Sequence, residues 1–200
     1  MFITKMSTGL LGWASFWATY WSFSYFIPYN EKSQQIIPSE PVIKVVARNM
    51  MLSLPYSIML WDLSPDIGSY LPHSYLIRFI MSVILMDGWF YMIHRLLHTK
   101  WFYKWHKQHH QFHIPYPLVA VYCSPIEALL CDVTAMGLGP CFLKMEGIEM
   151  CIWMILAALH SLFIHSSLNH GADHNIHHGK NLSNYGLLSI FDRMFGTYQP

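Results

Sequence analysis

The stretch FIMSVILMDGWFYMIHRLLHTKWFYKWHKQHH, residues 79–110, decides how the rest of the chain is read. It starts as an apolar segment and ends in two histidine clusters, His94-x3-His98 and His106-x2-His109-His110. On a helix, residues three or four apart share a face with Cβ atoms about 5–6 Å apart, so each cluster can converge on one or two ions. Neutral imidazole is the commonest metal ligand. A third cluster, His174-x2-His177-His178, repeats the pattern of the second. The first inference is therefore metal, bound beside an apolar segment.

Composition places that metal in a membrane. Hydrophobic residues make up 54% of the 200-residue chain and charged residues 12%, against roughly 25% charged in soluble domains. A net charge of +1 without a basic run excludes nucleic-acid binding. Cys123, Cys131, Cys141 and Cys151 form no Cys-x2-Cys pair and read as small packing residues rather than a zinc ribbon or redox motif.

Working outward, residues 9–27 carry no charge and suffice for the ~20 residues that cross a bilayer. Their length and their Trp and Tyr content argue against a cleaved signal peptide. Residues 42–61 are a second apolar segment, with Lys44 and Arg48 able to snorkel near one end and Pro55 inside. Further spans are expected at 79–98 and 150–168. Between them, residues 126–143 contain Glu127, Asp132, two glycines and Pro140, so this segment spans, re-enters or packs against the others. If it descends and the next helix returns, all three clusters emerge on one side. Lys32, Lys44, Arg48, Arg95, Lys100, Lys104, Lys107, Lys180 and Arg193 then share that side, leaving Lys5, Arg78 and Lys144 opposite. The positive-inside rule makes the histidine side cytoplasmic. A loop is expected at 30–41 and a turn at 64–68. The expected fold is an all-α integral membrane protein with about four transmembrane or re-entrant helices and a cytoplasmic histidine-rich di-metal cap. Residues 1–78 form an N-terminal two-helix region and 79–200 the catalytic region.

The eight clustered histidines and His165 exceed the four ligands of a tetrahedral zinc site, so two ions are the simpler account. Imidazole alone does not choose among iron, zinc, copper and nickel. Carboxylates are too few near the clusters for the Glu-rich pattern of soluble di-iron bundles. His160 and His170 are further candidate ligands; His113 and His73 are set aside. Asp87 lies seven residues before His94 on the same helical face, where an acid needs a partner. Either it accepts the free N–H of a ligand histidine, or it pairs with Arg95 or another helix. A non-catalytic zinc-binding membrane protein is the reading from a different class. It predicts histidines strung along the spans rather than gathered at one end.

The order His-x3-His, His-x2-His-His, lone His, His-x2-His-His resembles the fatty acid hydroxylase and sterol desaturase superfamily of membrane di-iron oxygenases. The segment His106-Lys107-Gln108-His109-His110 with Pro115-Tyr116-Pro117 is similar to sterol C-5 desaturases (lathosterol oxidases). So is the tail, residues 169–178 followed by Asn184-Tyr185-Gly186 and Asp192-Arg193-x-Phe195-Gly196-Thr197-Tyr198. Three departures stand out: Ser124-Pro125 where those desaturases carry His-Pro, His165-Ser166-Ser167, closer to sterol methyl oxidases and side-chain hydroxylases, and a short segment between His165 and His174. The resemblance implies two iron ions on His94, His98, His106, His109, His110, His165, His174, His177 and His178. It also implies electrons from NAD(P)H through cytochrome b5 and its reductase, and a sterol or fatty acyl substrate. The implied location is the endoplasmic reticulum membrane, or the inner membrane for a bacterial source. Oxidation of a Δ7-sterol to a 5(6)-double bond is the leading expectation, with hydroxylation or methyl oxidation as the alternative.

Overall fold

The computed structural model describes residues 2–28, 39–64, 74–166, 168, 172–180 and 182–200, and these contain helices and irregular segments but no strand. In chain order the helices are α1 (Phe2–Phe23), α2 (Ser39–Leu63), α3 (Tyr75–Leu97), a short α4 (Tyr103–His106), α5 (Pro125–Leu143), α6 (Ile148–Ile164), α7 (Ala172–Lys180) and α8 (Ile190–Met194). Most of the expected loop at 30–41 and turn at 64–68 lies outside the described residues, as do His73 and His170.

Local chemistry explains the ends of α5. The Ser124 side chain accepts the Glu127 N–H at 3.2 Å and Pro125 occupies the first turn, the usual start of a helix. Lys144 closes the helix in a left-handed conformation, φ 55°. Residues 128–133 form a π-helical stretch in which the helix carries an extra residue per turn.

Contacts at the helix ends set the topology. Lys144, just past α5, donates to Ser64 Oγ just past α2 at 3.1 Å. Arg78, early in α3, pairs with Glu149, early in α6, at 2.8 Å. The histidines cluster at the opposite ends of α3 and α6. Hence α3 and α6 run one way and α5 the other, the arrangement that brings all three clusters to one side.

Helices α3 and α5 are both long and apolar enough to cross a membrane, whereas α6, at 17 residues, is shorter. Helices α1 and α2 have the length, at 22 and 25 residues. They fall short in apolarity because α1 carries Trp, Tyr, Ser and Thr and α2 carries charges. The surface pattern suits lipid: Ile77, Ile80, Ile84 and Met92 on α3 and Ile148, Ile152 and Leu156 on α6 are exposed, while Ser82, Asp87 and His94 on α3 are buried.

In lipid, helices associate through close packing and hydrogen bonds rather than hydrophobic transfer. Both are visible. Gly139 of α5 meets Ser82 of α3 so closely that an added Cβ would lie 2.5 Å from the Ser82 Cβ. The Trp13 and Trp17 indoles each donate to Ser53 Oγ at 3.0 Å, and the Tyr20 hydroxyl donates to the Leu118 carbonyl at 2.8 Å. One core joins Phe16, Trp17 and Tyr20 of α1 and Val46 of α2 to Phe112, Val121 and Leu162. The four cysteines are free thiols and three of them are buried.

Candidate metal centre

Five elements deliver nine histidines to one place. His94 sits in the last turn of α3 and His98 caps it. Helix α4 and the 3-10 turn His109–Gln111 carry His106, His109 and His110. His165 caps α6, and α7 presents His174, His177 and His178. They form two groups, His94, His98, His106, His110 and His177 in the first and His109, His165, His174 and His178 in the second. Within each group one nitrogen per residue lies within 4.8 Å of all the others.

The proton positions follow from what each ring's far nitrogen touches. His94 Nδ1 is 2.7 Å from the Tyr185 carbonyl, His177 Nδ1 2.6 Å from that of Ser183, and His106 Nδ1 2.7 Å from the Glu127 carboxylate. In the second group, His165 Nδ1 is 2.8 Å from the Ser161 carbonyl and His178 Nδ1 2.9 Å from that of Phe112. These oxygens accept, so each Nδ1 carries the proton and each Nε2 presents a lone pair.

The Nε2 atoms nevertheless face one another. His94 to His106 is 3.0 Å, His106 to His110 2.8 Å and His98 to His177 3.1 Å in the first group. In the second, His174 to His165 is 3.1 Å, His178 to His174 3.2 Å and His165 to His109 3.4 Å. Between His94 and His106 both lone pairs are fixed, so no proton can bridge them. A cation can: ligands at ~2.0–2.1 Å from one ion lie roughly 2.9–3.4 Å from one another. The donor set therefore fits two metal ions.

Burial, reinforced for His98 and His110 by neighbouring imidazoles, pushes His98 down to about 3, His110 to about 2, His165 to about 4 and His177 to about 4. All are neutral near pH 7, the form a metal requires.

The candidates outside the two groups divide. His160 Nε2 is 3.1 Å from the Leu187 carbonyl, in the segment after α7, and belongs to neither group. Of the alternatives for Asp87, the structure shows the contact with another helix. Its Oδ1 accepts the Leu188 N–H at 2.7 Å and its Oδ2 those of Ile190 and Phe191 at 3.1 Å. It bonds neither a histidine nor Arg95, whose guanidinium donates to the Tyr91 hydroxyl at 2.7 Å. The physical reason is that the start of α8 offers unpaired backbone N–H groups to that face of α3.

The carboxylate that does hold a histidine is Glu127, which sequence reasoning treated only as a polar residue of a doubtful span. The tail motif also gains a physical role. Buried Asp192 accepts the N–H groups of Tyr185 and Gly186 at 2.8 and 2.6 Å and the Thr197 hydroxyl at 2.8 Å. Asn184, at φ 54°, bonds the Asp173 carbonyl and both polar backbone atoms of Gln199. This clamp sets the Ser183 and Tyr185 carbonyls against His177 and His94.

Behind the histidines lies a cavity of about 20 Å³ walled by His94, His106, His109 and His165 together with Asp132 and Met136. Asp132 and Met136 also line a second, apolar cavity of about 60 Å³ between α1, α2, α5 and α6.

A family model described as "Fatty acid hydroxylase" matches residues 79–197. Among curated proteins, the chain is 25% identical over 193 residues to very-long-chain aldehyde decarbonylase GL1-9 of Oryza sativa subsp. indica, covering 86% of this chain and 75% of that one. It is 28% identical over 195 residues to sphinganine C4-monooxygenase 2 of Arabidopsis thaliana, with the same coverage of 86% and 75%. It is 34% identical over 137 residues to methylsterol monooxygenase 1 of Rattus norvegicus, covering 61% of this chain and 46% of that one. No solved structure matches the chain.

Proposed function

Because the chain belongs to the fatty acid hydroxylase family of lipid oxidoreductases, we propose that it is a membrane-embedded, oxygen-dependent enzyme that hydroxylates a lipid at an unactivated carbon. The observation that carries this is the pair of all-histidine groups backed by a cavity that shares a wall, Asp132 and Met136, with an apolar one. When bound, two iron ions would supply oxygen activation and take electrons ultimately from NAD(P)H, with cytochrome b5 and its reductase as the proposed donors. His94, His98, His106, His110 and His177 would hold one ion and His109, His165, His174 and His178 the other. The protein's own part is preorganisation. Glu127 and four backbone carbonyls keep the Nδ1 protons in place, so five Nε2 lone pairs point inward without rearrangement. Helix packing around the small cavity excludes water from the reacting carbon.

Arg95, Lys100, Lys104, Lys107 and Arg193 on the histidine side, with Arg78 and Lys144 opposite, support a cytoplasmic metal cap in the endoplasmic reticulum or a bacterial inner membrane. Residues 1–78 would complete the lipid cavity for the catalytic region 79–200.

A second reading, sterol 5(6)-desaturation, is favoured by Pro115-Tyr116-Pro117 and by the tail from Asn184 to Tyr198. The relatives named above, two monooxygenases and a decarbonylase, put hydroxylation first. One experiment separates the readings: lipid mass spectrometry of yeast lacking its sterol C-5 desaturase and expressing the wild type or His109→Ala. A hydroxylated lipid that appears only with the wild type supports the first reading, and a 5(6)-unsaturated sterol the second. Unchanged lipids with well-expressed, iron-loaded protein would overturn both.

A further inference from the structure

We propose that Asp132 determines specificity by accepting a hydrogen bond from an O–H group of the lipid close to the carbon that reacts, a proposal that rests on the lipid-oxidising reading above. Asp132 belongs to the π-helical stretch of α5, residues 128–133. Such stretches are rare and frequently mark functional sites. Just before this one, Glu127 holds His106; within it, Asp132 stands at the junction of two cavities.

Asp132 and Met136, one helical turn apart on one face, line both the apolar cavity and the chamber behind the histidines. The carboxyl group thus stands on the wall that the two cavities share. Among the described residues, Asp132 is also the one acidic or basic side chain on the wall of the apolar cavity. Two other polar side chains there are committed: Asn49 donates to the Val121 and Cys123 carbonyls at 2.9 and 3.1 Å. Ser53 accepts two indole N–H groups and donates to the Met50 carbonyl at 2.7 Å. Among the described residues, the hydrogen-bond donor that Asp132 has is the Cys123 thiol, 3.5 Å from Oδ2.

A thiol is a weak donor, and a carboxylate in an apolar wall is costly unless better satisfied. The nearby guanidinium of Arg48 does not pair with it, donating instead to Asn49 Oδ1 and the Cys123 carbonyl. A lipid hydroxyl supplies the missing donor. An alkane supplies none, and an ionised fatty acid brings only acceptors. The substrate class is thus an apolar body carrying a neutral hydroxyl, either a long-chain alcohol or a hydroxysterol.

The test is ligand affinity from melting-temperature titrations of the full-length, iron-loaded protein in detergent, which needs no turnover. The probes are 1-hexadecanol, hexadecane, hexadecanoate and cholesterol. The wild type is expected to bind 1-hexadecanol or cholesterol roughly tenfold more tightly than hexadecane, the scale of one hydrogen bond to a charged group, and hexadecanoate more weakly than either hydroxyl probe. Asp132→Leu should erase the preference for a hydroxyl. Asp132→Asn, which keeps an acceptor, should lose only part of it and guards against misfolding. Gly137→Leu, placed on the same wall beside Leu60, should weaken hydroxyl and alkane probes together. The tighter of the two hydroxyl probes tells straight chain from sterol, and either order supports the role of Asp132. Equal affinity of the wild type for 1-hexadecanol, cholesterol and hexadecane, or a hydroxyl preference that survives Asp132→Leu, would overturn it. Failure of the catalytic reading shows separately, as unchanged lipids in the yeast experiment.

Discussion

The two histidine groups differ in what stands behind them. The first group has a carboxylate behind one ring, Glu127 on His106, and two tail carbonyls behind His94 and His177. The second has only the backbone carbonyls of Ser161 and Phe112 behind His165 and His178; the buried Nδ1 atoms of His109 and His174 have no partner among the described residues, against that of His110 in the first group. A carboxylate raises the basicity of the ligand it holds more than a carbonyl does. The lesson is that nine similar residues need not make two similar sites: the first group should hold its ion more tightly, and its strength is imported from distant segments.

The most severe way to break this comparison is to remove one ring from each group. His106→Ala and His165→Ala should both abolish lipid oxidation. Metal analysis should find the iron of the second group kept in His106→Ala and that of the first kept in His165→Ala; loss of both ions in each variant would mean one cooperative site.

Acid tests what the groups share. With metal removed, the folded rings of His98, His110, His165 and His177 stay neutral down to about 3, 2, 4 and 4, whereas unfolded histidines protonate near 6.5. Below 6.5 the unfolded chain therefore binds more protons, and stability falls with pH by up to about 1.4 kcal/mol per ring per pH unit until the folded rings titrate. Thermal melts of the metal-free protein between pH 7 and 5 would show it, and a flat profile would contradict the burial argument.

Glu127→Gln sharpens the comparison directly. It should lower iron affinity about 10–100-fold in the first group alone, read by chelator competition. Asp192→Asn should act on the same group through the tail, costing about 1–3 kcal/mol for the backbone donors left poorly paired and loosening iron there without touching the second group. Asp87→Asn is the mildest, at about 1 kcal/mol, because two of its three backbone donors face an oxygen that the amide can still supply. A loss of activity exceeding that of Glu127→Gln would restore Asp87 to the site.

Much of this was readable in the sequence, for a definite reason. Spacings such as His94 to His98 and His174 to His178 are helical periods, and ligand identity is written in the side chain. The helix directions followed from the need to gather three clusters at one end. What stayed hidden were the groups that orient the ligands. Four are backbone carbonyls, which any residue supplies, and Tyr185 lies 91 positions from the His94 it holds. Glu127 carries a readable side chain, but no local spacing links it to His106. The tail motif was noticed only through resemblance; its purpose appears once Asp192 is seen gathering the backbone of 185 and 186.

That clamp also dictates an order of assembly. His94 emerges from the ribosome well before Ser183, Tyr185 and Asp192, and its helix can enter the membrane without them. Its proton is not locked onto one nitrogen until residues 183–197 have been synthesised, folded back and fastened by Asp192 and Thr197. Iron that arrives earlier meets a half-built cage, so loading of the first group is timed to the arrival of residues 183–197, and a nascent chain that stops short of them would be inserted yet unable to secure that ion.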